Sequence, residues 1–224
     1  MNTTIVISEV LSTSWKNVKS QIWILAGLVI GMCLISFTIS LLMSPLSTSI
    51  GGMLISSLIS ILISSIFALG YIKNMFQTMD GDEPQFSAYM SHPSKIVNYF
   101  IAGLLFSLSL CIGLVFFIIP GIYLYLRLQF YGQFIVDENA GSIESLKKSW
   151  NLTKGYELSL FLLMLAQLFI LIIGALLFLV GLLVAYPLVI MSQCYVYRLL
   201  NRQAYVEQNL SLIHISEPTR PRLI

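Results

Sequence analysis

The sequence has little charge, and that shortage excludes whole classes of protein. Charged residues make up 10% of the 224 residues, whereas hydrophobic residues make up 57%, and the mean hydropathy is +0.87. A soluble domain of this size could not bury so much apolar surface. The formal net charge of +2 is also too small and too scattered to favour a nucleic-acid partner. The composition therefore predicts an integral membrane protein.

Residues that usually bind metals or catalyse reactions are also scarce. The only histidines are His92 and His214, and the three cysteines, Cys33, Cys111 and Cys194, lie in apolar runs without metal-ligand spacing. We interpret the cysteines as small buried hydrophobic residues. No carboxylate falls inside a predicted span. We therefore predict no catalytic residue, no metal site, no cofactor and no enzymatic activity.

The C-terminal residues differ from the rest of the chain. Residues 210–220 read LSLIHISEPTR, which matches the translated reverse complement of a sequencing adapter. We therefore treat residues 210–224 as non-native and assign residues 1–209 to one membrane domain. We expect the natural chain to continue beyond Asn209.

Six apolar segments approach the length needed to cross about 30 Å of hydrocarbon. The fourth is the shortest and contains Arg127, and Pro120-Gly121 separates it from the third as a turn. The second is rich in serine and glycine, which predicts a helix packed inside the bundle. We predict an all-α, polytopic membrane protein with six transmembrane helices in three hairpins, at about residues 22–43, 50–72, 97–119, 121–136, 158–180 and 182–200.

Basic residues alternate with the predicted spans. They flank the N-terminus, the second and fourth connections and the C-terminus, whereas the first, third and fifth connections carry no charge. By the positive-inside rule, both termini of this multi-pass membrane protein are predicted to be cytoplasmic. Tyrosines near the same boundary suggest an aromatic belt: Tyr71, Tyr99, Tyr156, Tyr195 and Tyr197.

An internal repeat precedes two of the spans. The segment from Glu9 to Lys19 aligns without gaps to the segment from Glu144 to Lys154, and the two share Glu, Leu, Ser, Trp and the final Lys. We interpret both as cytoplasmic interfacial helices, with Trp15 and Trp150 at the acyl boundary and Lys19 and Lys154 near lipid phosphates. The second connection occupies the equivalent place before the third span. Recognition of a partner or lipid is the alternative role, and coincidence is the alternative origin.

Arg127 is a charge well inside the predicted fourth span, whereas Arg198 lies at the basic cytoplasmic end of the sixth. Arg127 lies about 9 Å along the helix from the predicted turn, and a charge at such a depth costs on the order of 3 kcal/mol unless it faces other protein groups. The nearest candidates for a partner are Gln133, Gln167, Gln193 and free carbonyls near Pro120. We predict a structural tie between helices, with binding of a lipid headgroup or an anionic substrate as the alternative. A buried ion pair is not expected.

The central block resembles a known group of membrane proteins. Ile119 to Leu124, Arg127, Val136 to Glu138 and Ser145 to Gly155 are similar to bacterial six-helix proteins that include the membrane domain of glycerophosphoryl diester phosphodiesterases. The similarity covers about residues 60–200. It implies the six-helix fold, and in the enzymes a soluble catalytic domain follows this membrane domain.

Two functions follow as hypotheses. The first is a non-enzymatic membrane scaffold, anchor or lipid-interacting module, and the second is a transporter of small molecules or lipids. Membrane lipids are the expected partners, with a homo-oligomer or another membrane protein as further alternatives. Polar residues clustered within the bundle would favour transport, whereas an apolar exposed groove would favour lipid or partner binding.

Overall fold

All regular secondary structure in the described residues is helical. The structure is a computed structural model that describes residues 5–90 and 93–216, without side chains at 46, 47, 179 and 207–216. His92 and residues 217–224 lie outside the described residues. The described part contains no strand, and its α-helices are α1 (Ile7–Ser20), α2 (Ile22–Met43), α3 (Ile50–Asp80), α4 (Pro93–Phe116), α5 (Ile118–Leu128), α6 (Tyr131–Asp137), α7 (Ser142–Leu152), α8 (Glu157–Leu176) and α9 (Phe178–Ser216).

Five of these helices are long and apolar enough to cross a membrane. They are α2, α3, α4, α8 and the part of α9 from Val180 to Val206. The predicted fourth span, residues 121–136, instead falls on two shorter helices, α5 and α6, which are separated by Gln129 and Phe130. The chain is thus compatible with a multi-pass membrane protein, and the sixth span and the three hairpins stay predictions.

Two predicted turns are misplaced by a few residues. The chain reverses at Phe117, which is extended (φ −171°, ψ 158°), and not at Pro120-Gly121. Pro120 is the third residue of α5, where its missing N–H leaves no bond unmade. Gly121 lies so close to Gly113 on α4 that a Cβ on Gly113 would approach the Gly121 Cα to 2.9 Å. Hence the glycine serves the close packing of two helices and does not form the turn.

The fifth connection, between α8 and α9, also turns a few residues before the predicted position. Helix α8 ends at Leu176 and α9 begins at Phe178, which has a positive φ of 60°, whereas the turn was predicted at Val180-Gly181. The first connection agrees with its prediction, because a 3₁₀ helix, Ser44–Thr48, joins α2 to α3. In each case the residues between the apolar helices carry no charge.

The first half of α3 is exposed, contrary to the prediction that this helix packs inside the bundle. Its buried residues begin at Ser65, and the earlier ones are exposed or half-exposed. The hydroxyls of Ser57, Ser60 and Ser64 donate to carbonyls four residues earlier in their own helix, so they are satisfied without a neighbouring helix.

The cysteine prediction is correct for only one residue. Cys194 is buried, whereas Cys33 and Cys111 are exposed on the apolar surfaces of α2 and α4. Those surfaces also expose many large hydrophobic side chains, for example Phe37 at 64% and Leu108 at 58%. Apolar periodicity is weak in such helices, so the sequence did not distinguish the exposed face from the buried one.

Polar contacts gather the charged ends of several helices at one end of the bundle. Arg198 on α9 forms an ion pair with Asp80 at the end of α3, with 2.8 Å between Nη2 and Oδ2. Lys95 at the start of α4 donates to the carbonyl of Val136 on α6. The Gln21 side chain, just after α1, donates to the Asp82 carbonyl, just after α3. The six uncharged helix ends at the first, third and fifth connections take no part in these contacts.

Candidate functional site

Arg127 is buried at the centre of a small cluster of side chains. It lies in the last turn of α5, where a cation is favourable to the helix dipole, and its side chain is 3% exposed. Its Nη1 is 2.9 Å from Oε1 of Glu157, the first residue of α8. Its guanidinium lies 4.5 Å from the ring centre of Trp150 and 5.8 Å from that of Tyr123. We call Tyr123, Arg127, Trp150 and Glu157 the arginine cluster.

This geometry corrects the predicted partners of Arg127. None of Gln133, Gln167 and Gln193 bonds to it among the described residues, and a carboxylate does, although a buried ion pair was not expected. Sequence reasoning placed Glu157 just outside the fifth span and so did not consider it. The aromatic rings and the carboxylate offset part of the solvation that the guanidinium loses on burial, while its Nε has no hydrogen-bond partner among the described residues. These contacts connect helices α5, α7 and α8.

Helix α7, which carries Trp150, also forms hydrogen bonds with the backbone at the break between α5 and α6. The Ser149 hydroxyl donates to the Arg127 carbonyl at 2.9 Å and accepts from the N–H of Phe130 at 3.1 Å. The Thr153 hydroxyl donates to that same carbonyl at 3.2 Å. All of these groups are buried, and backbone groups freed by a break must be paired when water is excluded. Side chains of α7 therefore take over bonds that a continuous helix would have made.

A cavity of about 220 Å³ lies beside this break, on the other side of α5 from Arg127. Gln129, Gln133 and Gln193 line it together with five tyrosines, Tyr71, Tyr99, Tyr125, Tyr131 and Tyr186. No described residue that lines it carries a formal charge. We call it the tyrosine cavity. It is smaller than the roughly 300–1,000 Å³ pockets that hold drug-sized ligands, so it suits a small occupant.

Two buried polar atoms of residues that line the tyrosine cavity lack a partner among the described residues. They are the hydroxyl of Tyr71, a residue that is 1% exposed, and Oε1 of Gln133, a residue that is 2% exposed. A buried polar group without a hydrogen bond costs about 1–3 kcal/mol, so such groups usually face a water or a ligand. Two residues of the cavity lining therefore have a hydrogen-bonding atom that no described residue satisfies.

The structure brings together only some of the predicted intramembrane residues. Gln133 and Gln193 meet at the tyrosine cavity. Gln167 does not; its amide donates to the Ser192 hydroxyl at 2.8 Å and ties α8 to α9. Arg127 belongs to the arginine cluster, on the opposite side of α5. The spacing of Tyr125 on α5 and Gln129 just after it, four residues apart, was a signal for the cavity face that sequence reasoning missed.

The aromatic-belt prediction is wrong for at least two tyrosines. Tyr71 is buried on the cavity wall, 5.2 Å from the ring of Tyr186. Tyr197 is fully buried, packs edge-on against Phe134 at 4.9 Å, and its hydroxyl lies 3.1 Å from an Asp137 carboxylate oxygen. The position of a tyrosine along a predicted span does not show whether it faces lipid or protein.

The two repeated segments form the amphipathic helices that were predicted. Trp15 and Trp150 are 41% and 37% exposed, and Lys19 and Lys154 are exposed. The burial class agrees at every aligned position from Glu9 and Glu144 to Lys19 and Lys154, except that Asn17 is half-buried where Leu152 is buried. The second predicted copy is only a short 3₁₀ helix, Phe86–Tyr89. The origin by duplication stays a prediction.

An open groove of about 720 Å³ lies at the charged end of the bundle. Lys148, Arg198 and Arg202 contribute positive charge to it and Glu138 contributes negative charge. Lys148 pairs with Glu138 at 2.9 Å and with Glu144 at 2.8 Å, and the bonds to Glu144 and Glu138 raise the pKa of its ammonium. Because most of these charges are already paired, the groove is not a strongly basic surface.

A known family matches the part of the chain that carries most of this geometry. A family described as a domain of unknown function, DUF7847, matches residues 88–213, which is more than half of the 224 residues. The chain belongs to this family. The DUF7847 match covers α4 to most of α9, and so it includes the arginine cluster and all of the tyrosine cavity except its α3 wall at Ala68, Tyr71 and Ile72.

The other comparisons add no relative. No curated protein and no solved structure matches the chain. The DUF7847 match does not connect the chain to the membrane domain of glycerophosphoryl diester phosphodiesterases, so that resemblance stays a prediction. The match extends to residue 213, four residues into the segment predicted to be non-native.

Proposed function

We propose that this chain is a multi-pass protein of the bacterial cytoplasmic membrane that binds a small molecule in the tyrosine cavity and transports it. The observation that carries the proposal is the position of this cavity beside the break between α5 and α6. Interrupted helices in transporters commonly form the substrate site, because irregular backbone at membrane depth survives only where protein or a cavity satisfies it.

The clustering of polar residues supports transport over the scaffold role. Gln129 in the break, Gln133 on α6 and Gln193 on α9 converge on one cavity. A second discontinuity adds to this, since Pro187 interrupts the hydrogen bonding of α9 next to the lining residue Tyr186. A scaffold or anchor needs no polar cavity within its bundle.

The topology belongs to the same proposal. We place both termini in the cytoplasm and count α5 and α6, 118–137 in sequence, as a sixth, broken crossing. Three helix pairs that are adjacent in sequence, α2 with α3, α4 with α5 and α8 with α9, pack against each other, which supports three hairpins. The ion pair between Arg198 and Asp80 and the pairs around Lys148 support a single charged end.

A lipid-interacting role is a second candidate. The amphipathic helices α1 and α7 each present an exposed tryptophan and lysine, Trp15 with Lys19 and Trp150 with Lys154, which suits a membrane surface. This role concerns the helix surfaces and not the cavity, so the two candidates make different predictions.

Labelling of a cysteine in the cavity tests the transport proposal. Ala68 lines the cavity, so Ala68→Cys should react with a small water-soluble thiol reagent in native membranes once Cys33, Cys111 and Cys194 are replaced by alanine. Leu168→Cys, at an exposed apolar position (51%) in the middle of α8, is the matched control and should stay unlabelled. Equal labelling of both positions, or of neither, would argue against a hydrated cavity.

A further inference from the structure

The lining of the tyrosine cavity restricts the charge of its occupant. Since none of its described lining residues is charged, an anion would lose its water there without gaining a counter-ion. Arg127 does not compensate, because it is absent from the lining and is already paired with Glu157. An anionic substrate, which was the alternative reading of Arg127, is therefore disfavoured at this cavity.

The same lining is favourable to a cation. Tyrosine ring faces attract organic cations within about 6 Å, and they do so more strongly where water is excluded. The rings stand in two groups on the cavity wall: Tyr71 with Tyr186 at 5.2 Å, and Tyr99 with Tyr131 at 5.3 Å, the latter continued by Phe106. A small ligand in the cavity thus has aromatic rings from α3 and α9 on one wall and from α4 and α6 on another.

The two unpartnered atoms indicate that the ligand also forms hydrogen bonds. Oε1 of Gln133 is an acceptor without a donor, and the Tyr71 hydroxyl can donate or accept. A ligand that carries a donor, such as a hydroxyl or an N–H, would satisfy Gln133. Both residues are at least 98% buried, so bulk water does not serve them.

We infer that the tyrosine cavity binds a small organic ammonium ion that carries at least one hydrogen-bond donor. The tyrosine rings surround its charge, and Gln133 accepts its donor. This inference rests on the proposed function, because it names the substrate class of the same cavity. The absence of a lining carboxylate makes the binding moderate and reversible, as transport requires.

A matched pair of probes tests the charge. Choline and its uncharged isostere, in which a carbon atom replaces the nitrogen, have the same shape and the same hydroxyl. Binding to the purified chain in detergent is measured by calorimetry, and we expect choline to bind at least about fivefold more tightly than the isostere. Gln133→Glu, which adds a carboxylate at the unpartnered position, should tighten choline binding at least about tenfold and leave the isostere unchanged.

The outcomes separate the inference from the proposed function. Equal binding of both probes, or tighter binding of the isostere, overturns the ammonium inference and leaves the small-molecule site standing. Failure of both probes to bind a chain whose Ala68→Cys variant is still labelled by the thiol reagent also overturns the inference alone. Failure to bind together with an unlabelled Ala68→Cys overturns both. Since Gln133→Glu risks misfolding, Gln129→Glu on the same wall gives a second measurement with the same expected direction.

Discussion

Helices α1 and α7 carry similar sequences and almost the same pattern of buried residues, yet their surroundings differ. Ser14 and Ser149 occupy equivalent positions, and both are fully buried. Ser149 makes two hydrogen bonds to the break between α5 and α6, whereas the hydroxyl of Ser14 has no partner among the described residues. The shared pattern specifies an amphipathic helix, and of the two helices α7 alone bonds to the break between α5 and α6 among the described residues.

The residues that follow the two copies extend this contrast. Glu157, which pairs with Arg127, aligns with Ile22 at the start of α2. Trp150 lies against the Arg127 guanidinium, whereas Trp15 has no ring or cation contact among the described residues. The arginine cluster thus belongs to one copy only. If this account is correct, equivalent substitutions in the two copies should have different effects.

The largest effect is expected for Glu157→Gln. It leaves the Arg127 guanidinium buried without a counter-ion, which typically costs 3–5 kcal/mol, and we expect about 3 kcal/mol because Glu157 is 35% exposed. Arg127→Leu should cost less, since water can solvate the half-exposed Glu157 that remains. Thermal unfolding in detergent micelles measures both, with the exposed Glu83→Gln as control. The reverse order of the two variants would contradict the assignment of Arg127 as the buried member of the pair.

The next effect separates the two serines. Ser149→Ala leaves the buried N–H of Phe130 unpaired, so it should reduce the free energy of unfolding by about 1–2 kcal/mol. Ser14→Ala removes an unpartnered buried hydroxyl and should change it by less than about 0.5 kcal/mol, or increase it. The same unfolding measurement compares the pair. A similar loss of unfolding free energy in both variants would show that Ser14 and Ser149 contribute equally to stability, which contradicts the account.

The tryptophans should differ in the same direction by a smaller amount. Trp150→Leu loses the contact with Arg127 at 4.5 Å and the edge-on contact with Tyr123, together about 1 kcal/mol beyond the loss of apolar area. Trp15→Leu, at a similarly exposed position, loses apolar area alone. Unfolding of the two variants under one condition gives the difference, and equal losses would remove Trp150 from the arginine cluster.

The smallest effect concerns a surface ion pair of α7. The bond to Lys148 lowers the pKa of Glu144, so the stabilisation is present above the ordinary pKa of a glutamate and is lost as the pH falls through the lowered value. Glu144→Gln should therefore lower the unfolding temperature slightly at pH 7, and this difference should shrink as the pH falls through the lowered pKa. The aligned Glu9→Gln is the control, since Thr13 stands where α7 has Lys148. A pH-independent difference would rule out the ion pair as its cause.

The sequence predicted the helices well because their signals are local. Long apolar runs predicted α2 and α8 closely, and the spacing of apolar residues predicted α1 and α7. The cavity could not be predicted, because its wall combines Tyr71, Tyr125 and Gln193 from three helices whose relative rotation depends on packing. The partner of Arg127 was missed for a related reason: Glu157 is 30 residues away and was judged by its place outside a span.

The most direct test measures how strongly the α7 contacts control access to the tyrosine cavity. The labelling rate of Ala68→Cys by a water-soluble thiol reagent is compared in membranes with Ser149 and Ser14 intact, with Ser149→Ala, and with Ser14→Ala. The account predicts that Ala68→Cys is labelled, that Ser149→Ala changes the rate severalfold by loosening the break beside the cavity, and that Ser14→Ala does not. No labelling of Ala68→Cys, or the same change in both serine variants, would contradict it.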